Sequence, residues 1–141
     1  MIRQISVFLE NRSGRLADVC RILGEHEIDI IAISISDTTD FGILRLIVTQ
    51  PDKAEQVLRN QQFKVNQSTV LAVGVNDKPG GLGSILQTLA GKNIDIEYMY
   101  AVGKDTSGAI IIMKVSEKEV AIEILKEKEI QLYQEKSLFK I

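Results

Sequence analysis

The chain repeats one pattern twice, and this repeat limits the folds that it can adopt. Residues 5–16 and 71–82 share an arrangement of apolar, polar and glycine positions at an offset of 66, from residue 5 to residue 71. The same offset, without an insertion, relates Ile28-Asp29-Ile30 to Ile94-Asp95-Ile96 and Gly42 to Gly108. A unit of this length is too long for a solenoid repeat and suits a small α+β domain. The sequence therefore predicts two copies of one module, at residues 1–67 and 68–141.

The composition narrows the functional classes. The 141 residues are 45% hydrophobic and 26% charged, and a net charge of −2 gives no reason to expect nucleic acid or an anionic membrane as partner. No apolar run approaches the ~18 residues of a membrane span, and Met1-Ile2-Arg3 leads into a strand rather than a signal peptide. The single cysteine cannot form an internal disulfide, so we expect a reducing, cytoplasmic setting.

Hydrophobic periodicity predicts strand, helix, strand, strand, helix, strand in each copy. In the first copy, strands are expected at residues 4–9, 28–36, 42–48 and 63–65, with helices from 16 and from 51. In the second, strands are expected at 70–75, 95–102, 109–115 and 131–134, with helices at 82–90 and 117–128. A short linker is expected at 66–69. Leu16, Val19, Cys20 and Leu23 fall on one helical stripe, which predicts that Cys20 is a small buried core residue.

This order of elements predicts the α+β class and two tandem ferredoxin-like βαββαβ domains. Right-handed crossovers place both helices on one face of an antiparallel sheet, which leaves the other face open. Alternation puts Tyr98 and Tyr100 on one face of their strand, and the following strand is apolar on both faces. We therefore expect an exposed apolar patch that includes Tyr98, Tyr100, Ile111 and Met113. Because monomers rarely expose such patches, the sequence predicts a homodimer that covers it.

The candidate site is the turn between the first strand and first helix of each copy. The two turns read Asn11-Arg12-Ser13-Gly14-Arg15-Leu16 and Asn76-Asp77-Lys78-Pro79-Gly80-Gly81-Leu82. A short polar side chain, Asn11 or Asp77, can cap the helix or contact a ligand amine. Glycine lets the backbone approach a ligand closely. The helix N-terminus offers N–H groups and a positive dipole end to a carboxylate. Together these features predict an amino-acid site.

Both turns, with the Ile-Asp-Ile segments that follow, resemble the ACT domain, a regulatory amino-acid-binding module of metabolic enzymes. The resemblance covers the whole chain as two tandem ACT domains. It implies that a free amino acid binds between paired modules and that the sheets pair edge to edge or face to face within the chain. It also implies that Asp29-Ile30 and Asp95-Ile96, at the start of strand two, close the pocket. The first copy departs from the family at Ser13, where proline is usual, so the second site is favoured.

Simpler interpretations exist for these residues. Asn11 and Asp77 could be helix caps, the glycines could serve a tight turn, and Asp29 and Asp95 could only start a strand. Arg12 and Lys78 suit solvated loop positions, and His26 suits the end of a helix.

Three functional classes remain. The first is a stand-alone regulatory protein that binds an amino acid and modulates amino-acid metabolism, with a metabolic enzyme as a possible partner. The second is an adaptor that uses the same surfaces without a ligand. The third is an enzyme or an RNA-binding protein on the same fold. The third is disfavoured because the chain shows no metal-spaced cluster, no phosphate-binding glycine motif, and neither the aromatic motif nor the basic surface of an RNA binder. No cofactor is predicted.

Overall fold

The computed structural model of the protein describes residues 1–10, 14–37, 41–76, 78–105 and 108–139. The chain divides into two compact units. We term Arg3–Ser68 the N-terminal unit, and Thr69–Ile141 together with Met1–Ile2 the C-terminal unit. Each unit contains one copy of the sequence repeat.

The N-terminal unit follows the predicted order of elements. It comprises β1 (Ile2–Glu10), α1 (Arg15–Glu25), β2 (Ile30–Asp37), β3 (Phe41–Val48), α2 (Pro51–Asn60) and the first residues of β4 (Lys64–Asn76). The strand order is β2-β3-β1-β4, and β3 pairs antiparallel with both β1 and β2. This is the ferredoxin-like arrangement that the sequence predicts.

The C-terminal unit repeats this arrangement with a shortened last strand. It comprises the rest of β4, α3 (Gly81–Ala90), β5 (Ile96–Asp105), β6 (Gly108–Val115), α4 (Lys118–Glu127) and the short α5 (Glu135–Leu138). Strand β6 pairs antiparallel with β4 and β5. Where a strand is predicted at 131–134, Leu132 forms a single bridge with Val73. Beside it, the Tyr133 N–H donates to the Ala72 carbonyl at 2.9 Å.

A single strand joins the two copies, so the prediction of a linker at residues 66–69 is wrong. Strand β4 is 13 residues long and runs through this polar stretch without interruption. Backbone pairing does not depend on side-chain polarity. One of the polar side chains also binds the neighbouring helix, since the Gln67 amide donates to Asp52 at 3.0 Å and to Glu55 at 2.8 Å. These bonds give Gln67 a structural role that the composition of a linker does not suggest.

Each unit has its own core between one sheet face and both of its helices. In the N-terminal unit, strand residues Ile5, Val7, Leu9, Leu44 and Leu46 pack with helix residues Val19, Leu23, Ala54 and Leu58. In the C-terminal unit, Leu71, Val73, Ile111 and Met113 pack with Ile85, Leu89, Ala121 and Leu125. Both helices therefore cover the same sheet face, as predicted.

Helix α1 buries a slightly different stripe from the one predicted. Val19, Ile22 and Leu23 are buried, whereas Cys20 is exposed. The predicted core position of Cys20 is therefore wrong. Two stripes at i, i+3, i+4 spacing both contain Val19 and Leu23. The helix uses the stripe that contains Ile22, which leaves Leu16 at its start 38% exposed.

Strand register corrects one landmark of the repeat. Leu9 in β1 pairs with Gly42. Its counterpart Val75 in β4 pairs with Ala109. The structural counterpart of Gly42 is therefore Ala109, and the predicted match with Gly108 is wrong. The second copy contains one additional residue before this point.

The additional residue lies in a β-bulge of β5. In the first copy, the consecutive residues Ile35 and Ser36 face consecutive residues of β3. In the second, Ala101 and Gly103 face consecutive residues of β6, which leaves Val102 as the extra one. A bulge of this kind inserts one residue into one strand of an antiparallel pair. The offset between the copies is 66 before the bulge and 67 after it, as the starts of α2 and α4 at residues 51 and 118 show.

The predicted apolar patch does not exist as one surface. Ile111 and Met113 are buried in the core under the helices. Tyr100 faces Ile112, the residue between them, and Tyr98 faces Lys114. Opposed residues share a face, so the tyrosines lie on the face away from the helices, and the predicted grouping is wrong. The predicted alternation within each strand is correct. The sequence does not reveal the bulges of β5, which set the residues of β6 that each tyrosine faces.

The second sheet face is also partly buried. Ile110 and Ile112, which point away from the helices, are 2% and 0% exposed. Three exposed apolar side chains lie elsewhere, on the edge strands of the two units. Ile33 and Ile35 in β2 are 48% and 50% exposed, and Met99 in β5, the counterpart of Ile33, is 41% exposed. These three residues, rather than the predicted patch, form exposed apolar surface on the edge strands, and Met1, Leu16, Phe41 and Val120 are exposed elsewhere.

Helices α1 to α4 all end in the same backbone motif. A residue with positive φ follows each helix: Glu27 (56°), Gln62 (71°), Asn93 (60°) and Glu129 (57°). The next residue is apolar, and its N–H donates to a leucine carbonyl five positions back: Ile28 to Leu23, Phe63 to Leu58, Ile94 to Leu89 and Ile130 to Leu125. This is the Schellman motif, and its hydrophobic contact returns the chain to the sheet.

We predict that Gln62→Gly stabilises the N-terminal unit. A residue with a side chain pays about 1–2 kcal/mol for the left-handed conformation, and glycine avoids this cost. Glycine also loses more backbone entropy on folding, which cancels part of the gain. The expected gain in the free energy of unfolding is about 0.5–1 kcal/mol, measured by urea denaturation. The control is Gln61→Gly, at a position with φ −97° that any residue can adopt. Its free energy of unfolding should fall by about 0.5–1 kcal/mol. Equal losses in both variants would contradict the prediction.

Candidate functional site

The strand-to-helix turn has the same backbone in both units. The N-cap residues of α1 and α3 are Gly14 and Gly80, with φ of 88° and 87°. Glycine is favoured there because this left-handed conformation is strained for a residue with a Cβ. Among the described residues, neither helix has a side-chain cap. The N-cap position is therefore a glycine in both units, and this residue has no side chain of its own to cover the start of the helix.

Four predicted site residues, Asn11, Arg12, Ser13 and Asp77, lie outside the described residues. The rest of the second turn is described in detail. The Lys78 N–H donates to the Asn76 carbonyl at 2.9 Å, and the Gly81 N–H donates to the Lys78 carbonyl at 3.2 Å. These two bonds hold the exposed residues 78–80 in a tight turn at the start of α3.

Gly81 lies against the end of β4. A Cβ at this position would come 2.8 Å from the Asn76 carbonyl oxygen and 3.3 Å from Val75 Cγ1. The shorter distance is well inside van der Waals contact, and its partner is backbone that cannot rotate away. Only glycine therefore allows α3 to start this close to the strand.

A cavity of about 600 Å³ opens beside this turn, entirely within the C-terminal unit. Its lining comes from the end of β4, the turn, the exposed face of α3, the start of β6 and the segment after α4. The lining residues are Gly74, Val75, Asn76, Lys78, Pro79, Gly80, Gly81, Ser84, Ile85, Thr88, Gly108, Ala109, Lys128, Glu129, Ile130, Gln131 and Tyr133. This volume is in the range of small-molecule sites, about 300–1,000 Å³.

The predicted residues of the second copy divide into two groups. Asn76, Lys78, Pro79, Gly80 and Gly81 all line the cavity. Leu82 instead packs against the hydrophobic core. Asp95 lies at the far end of the unit, where its N–H donates to Ser116 Oγ at 3.1 Å, and Ile96 follows it. Because α3 separates the turn from the start of β5 by about 15 Å, the structure does not bring these groups together within the unit.

The first copy has the same division. Asp29 and Ile30 lie beyond the end of α1, and the Asp29 N–H donates to Thr49 Oγ1 at 3.2 Å. At the other end of the helix, Arg15 places its guanidinium 4.0 Å from the centroid of the Phe63 ring. One guanidinium nitrogen is also 3.8 Å from the Asp18 carboxylate. Arg15 is therefore occupied by contacts within its own unit.

The sequence analysis missed the wall of the cavity formed by residues 128–133. Ile130 is placed there by the Schellman motif after α4, and Gln131 follows it along the edge of β4. The opposing residue is Gly74, whose N–H donates to the Gln131 carbonyl at 2.8 Å. A Cβ on Gly74 would lie 3.3 Å from Gln131 Cβ and 3.5 Å from Tyr133 Cε2. An isolated glycine within an apolar strand is a known signal of close approach, and it could have indicated this contact.

The described residues offer little to other kinds of chemistry. They contain no group of three or more His, Cys, Asp or Glu side chains placed to hold a metal ion. None of the helices described is long and apolar enough to cross a membrane. His26, at the C-cap of α1, has its Nδ1 2.9 Å from the Ile22 carbonyl, in keeping with a helix-end role.

Comparison with known proteins gives one family and several related folds. The chain matches the ACT domain pair family over residues 1–141. A crystal structure of a Bacteroides thetaiotaomicron protein is 38% identical, with a TM-score of 0.93, and the match covers 99% of this chain and 96% of that one. No match was found among curated proteins.

Two more distant structures share the fold. The ligand-free regulatory subunit of aspartate kinase from Thermus thermophilus is 18% identical, with a TM-score of 0.64 and coverage of 89% and 91% of the two chains. The regulatory subunit of aspartate kinase from Thermus flavus is 19% identical, with a TM-score of 0.59 and coverage of 88% of each chain.

We predict opposite effects of alanine at two neighbouring glycines of α3. Gly81→Ala should lower the free energy of unfolding by about 1–3 kcal/mol, because its Cβ forces the helix away from Asn76. Gly83→Ala is the control, since its Cβ would meet no atom within 4 Å. It should raise the stability by up to about 1 kcal/mol through helix propensity. Denaturant titration of both variants measures the difference, and equal stabilities would contradict the close-approach interpretation.

Proposed function

Because this chain belongs to the ACT domain pair family, we propose that it is a regulatory protein that binds a free amino acid. The observation that carries the proposal is the cavity beside the Gly80-Gly81 turn of the C-terminal unit. The turn places the N-terminus of a ten-residue helix at the cavity wall. Membership of the family supports the regulatory role, and the geometry of this wall supports the class of ligand.

The carboxylate of the amino acid would bind at the start of α3. The first turn of a helix has N–H groups without intrahelical acceptors and carries the positive end of the helix dipole. Gly80 and Gly81 have no side chains that would shield the start of the helix, and both line the cavity, although the Gly81 N–H itself donates to the Lys78 carbonyl. Lys78, on the same wall, adds a positive charge. Carboxylates commonly bind helix N-termini of this kind.

The amine would bind to Asp77. This residue lies outside the described part of the chain, but its sequence neighbours Asn76 and Lys78 both line the cavity. A hydrogen bond between charged groups contributes about 1.5–3 kcal/mol where water is largely excluded. Glu129 adds a second acidic residue to the lining of the cavity. The first-copy residues Asn11, Arg12, Ser13, Gly14, Arg15 and Leu16 remain a second candidate site from the sequence.

The regulated protein would be an enzyme of amino-acid metabolism, as the family resemblance implies. The two Thermus relatives carry the name of aspartate kinase regulatory subunits, but at 18% and 19% identity they support the fold of this chain and not its partner. An adaptor role without a small ligand is the alternative. The two roles differ in a measurable property, because only the first requires the cavity to be occupied.

We predict that at least one of the twenty amino acids binds the wild-type protein and raises its midpoint of thermal unfolding. At 100 times its dissociation constant, a ligand stabilises the fold by about 2.7 kcal/mol. Calorimetry with that amino acid should give at least tenfold weaker binding to Asp77→Ala. The matched control is Asp95→Ala, which removes the same charge from the far end of the unit and should bind normally. Equal affinity of the two variants for the amino acid would refute the assignment of the amine to Asp77. If no amino acid binds the wild-type protein, the adaptor role is favoured.

We also propose that the chain forms a homodimer through an edge strand. The apolar surface that supports this is Ile33 and Ile35 on β2, each about half exposed. Unpaired edge strands with apolar side chains tend to pair with another chain. The homodimer therefore remains a prediction, but the residues that support it are now Ile33 and Ile35 instead of the tyrosine patch.

Light scattering at tens of micromolar should give the mass of a dimer for the wild-type protein. Ile33→Lys and Ile35→Lys together should give a monomer, because two buried charges oppose the interface. The matched variant Met99→Lys, at the position equivalent to Ile33 in β5, tests the other edge and should remain dimeric. A monomeric wild-type protein would refute the dimer itself.

A further inference from the structure

The cavity of the C-terminal unit extends along one side of α3. Gly81, Ser84 and Thr88 line it and lie at positions i, i+3 and i+7, on one stripe of the helix. The distance from Gly81 to Thr88 is about 10 Å along the helix axis, at 1.5 Å per residue. The carboxylate and amine of an amino acid would occupy only the end of the cavity beside the Gly80-Gly81 turn. The remaining length is therefore available to a long side chain.

Thr88 stands where the other copy has an apolar core residue. Helices α1 and α3 start at residues 15 and 81, so Ile22 is the equivalent of Thr88. Ile22 is 3% exposed and belongs to the core of the N-terminal unit. Thr88 is half-buried and lines the cavity. Because core packing alone favours an apolar residue at this position, the hydroxyl indicates a polar partner within the cavity.

The Thr88 hydroxyl can serve a ligand only as an acceptor. Its Oγ1 donates to the Ser84 carbonyl at 2.9 Å, which uses the single hydrogen of the group. The oxygen retains lone pairs that can accept a hydrogen bond from another donor. An apolar ligand group would leave this oxygen without such a donor, and a carboxylate would bring a second acceptor against it. The complementary ligand group at this end of the cavity is therefore a donor.

The charged residues that follow α4 offer a competing interpretation. Lys128 lines the cavity and could pair with an acidic side chain of the ligand. Glu129, the next residue, also lines the cavity and carries the opposite charge. Their combined attraction for a carboxylate is therefore small. The Glu129 carboxylate, like Thr88, accepts hydrogen bonds from an amide or a cation.

We propose that the cavity binds an amino acid with a long side chain that ends in N–H donors, the class of glutamine, lysine and arginine, and that Thr88 accepts a hydrogen bond from this end. The inference rests on the function proposed above and adds the class of ligand and a residue that determines specificity. A site that hydrogen-bonds one ligand group discriminates against analogues that lack it, because its own polar atom is then left unpaired.

The first test is calorimetry of the full-length wild-type protein with each of the twenty free amino acids as a separate probe. We expect glutamine, lysine or arginine to bind most tightly. Its affinity should be at least about tenfold above that of methionine, which is long but has no donor, and of glutamate, which ends in acceptors at neutral pH. Tightest binding by any other amino acid would overturn this inference and leave the proposed function intact. No binding by any of the twenty would overturn both.

The second test removes the acceptor and keeps the shape of the side chain. Thr88→Val should weaken binding of the tightest probe by about tenfold and leave the affinity for methionine unchanged, so that the ratio of the two affinities falls. Thr88→Ser, which retains the hydroxyl, should retain the ratio. The matched control is Thr49→Val, the same change in the N-terminal unit, where the hydroxyl accepts from the Asp29 N–H; it should leave the ratio unchanged.

The ratio separates recognition from a structural role of the Thr88 hydroxyl. If this group only satisfies the Ser84 carbonyl, its loss alters the helix and weakens both probes equally. Equal weakening of both probes by Thr88→Val, or an unchanged ratio, would overturn the assignment of Thr88. Thermal unfolding without ligand checks that each variant is folded at the temperature of the calorimetry.

Discussion

The contact between α3 and the end of β4 sets the geometry on which the candidate site depends. Gly81 lies so near Asn76 that a single methyl group would not fit. Gly80, in the left-handed conformation just before it, turns the chain sharply enough to reach that position. Together they place the N-terminus of α3 beside the cavity at two positions that have no side chain. A small change in this turn would move both the helix and the wall that is proposed to bind a carboxylate.

The chain keeps one fold in two copies but uses side chains differently in each. The helices of both units end in Schellman motifs that return an apolar residue to the sheet at the same place. Residues at equivalent sequence positions therefore occupy equivalent places within each unit. In the N-terminal unit these positions hold Arg15 stacked on Phe63. In the C-terminal unit they hold Gly81 and Ile130, which line a cavity. Duplication thus preserves the core, while the surroundings of the first turn diverge.

Three errors of the sequence analysis, at Cys20, at Gly108 and in the tyrosine patch, share one physical cause. Strand and helix patterns report which residues alternate or form a stripe, but several alignments satisfy the same pattern. The stripe containing Ile22 and the stripe containing Cys20 are almost equally good, and only packing chose the first. The bulge at Val102 shifted the register of β5 by one residue, so that Gly42 corresponds to Ala109. The shift also makes the tyrosines face Ile112 and Lys114 instead of the core residues of β6. The linker error has a different cause, since the polar start of β4 forms a strand through backbone pairing, which does not depend on side-chain polarity.

The sequence by itself determined the family, the fold class, the order of elements and the importance of the glycine turns, because these depend on local patterns that recur at a constant spacing. The tertiary structure decided which predicted residues meet. It brought Lys78, Pro79 and Gly80 together with residues 128–133 around one cavity, and it placed Asp95 at the opposite end of the unit. Sequence order does not contain this information, since the wall of the cavity comes from segments about fifty residues apart. Their meeting depends on the path of the backbone through the whole unit.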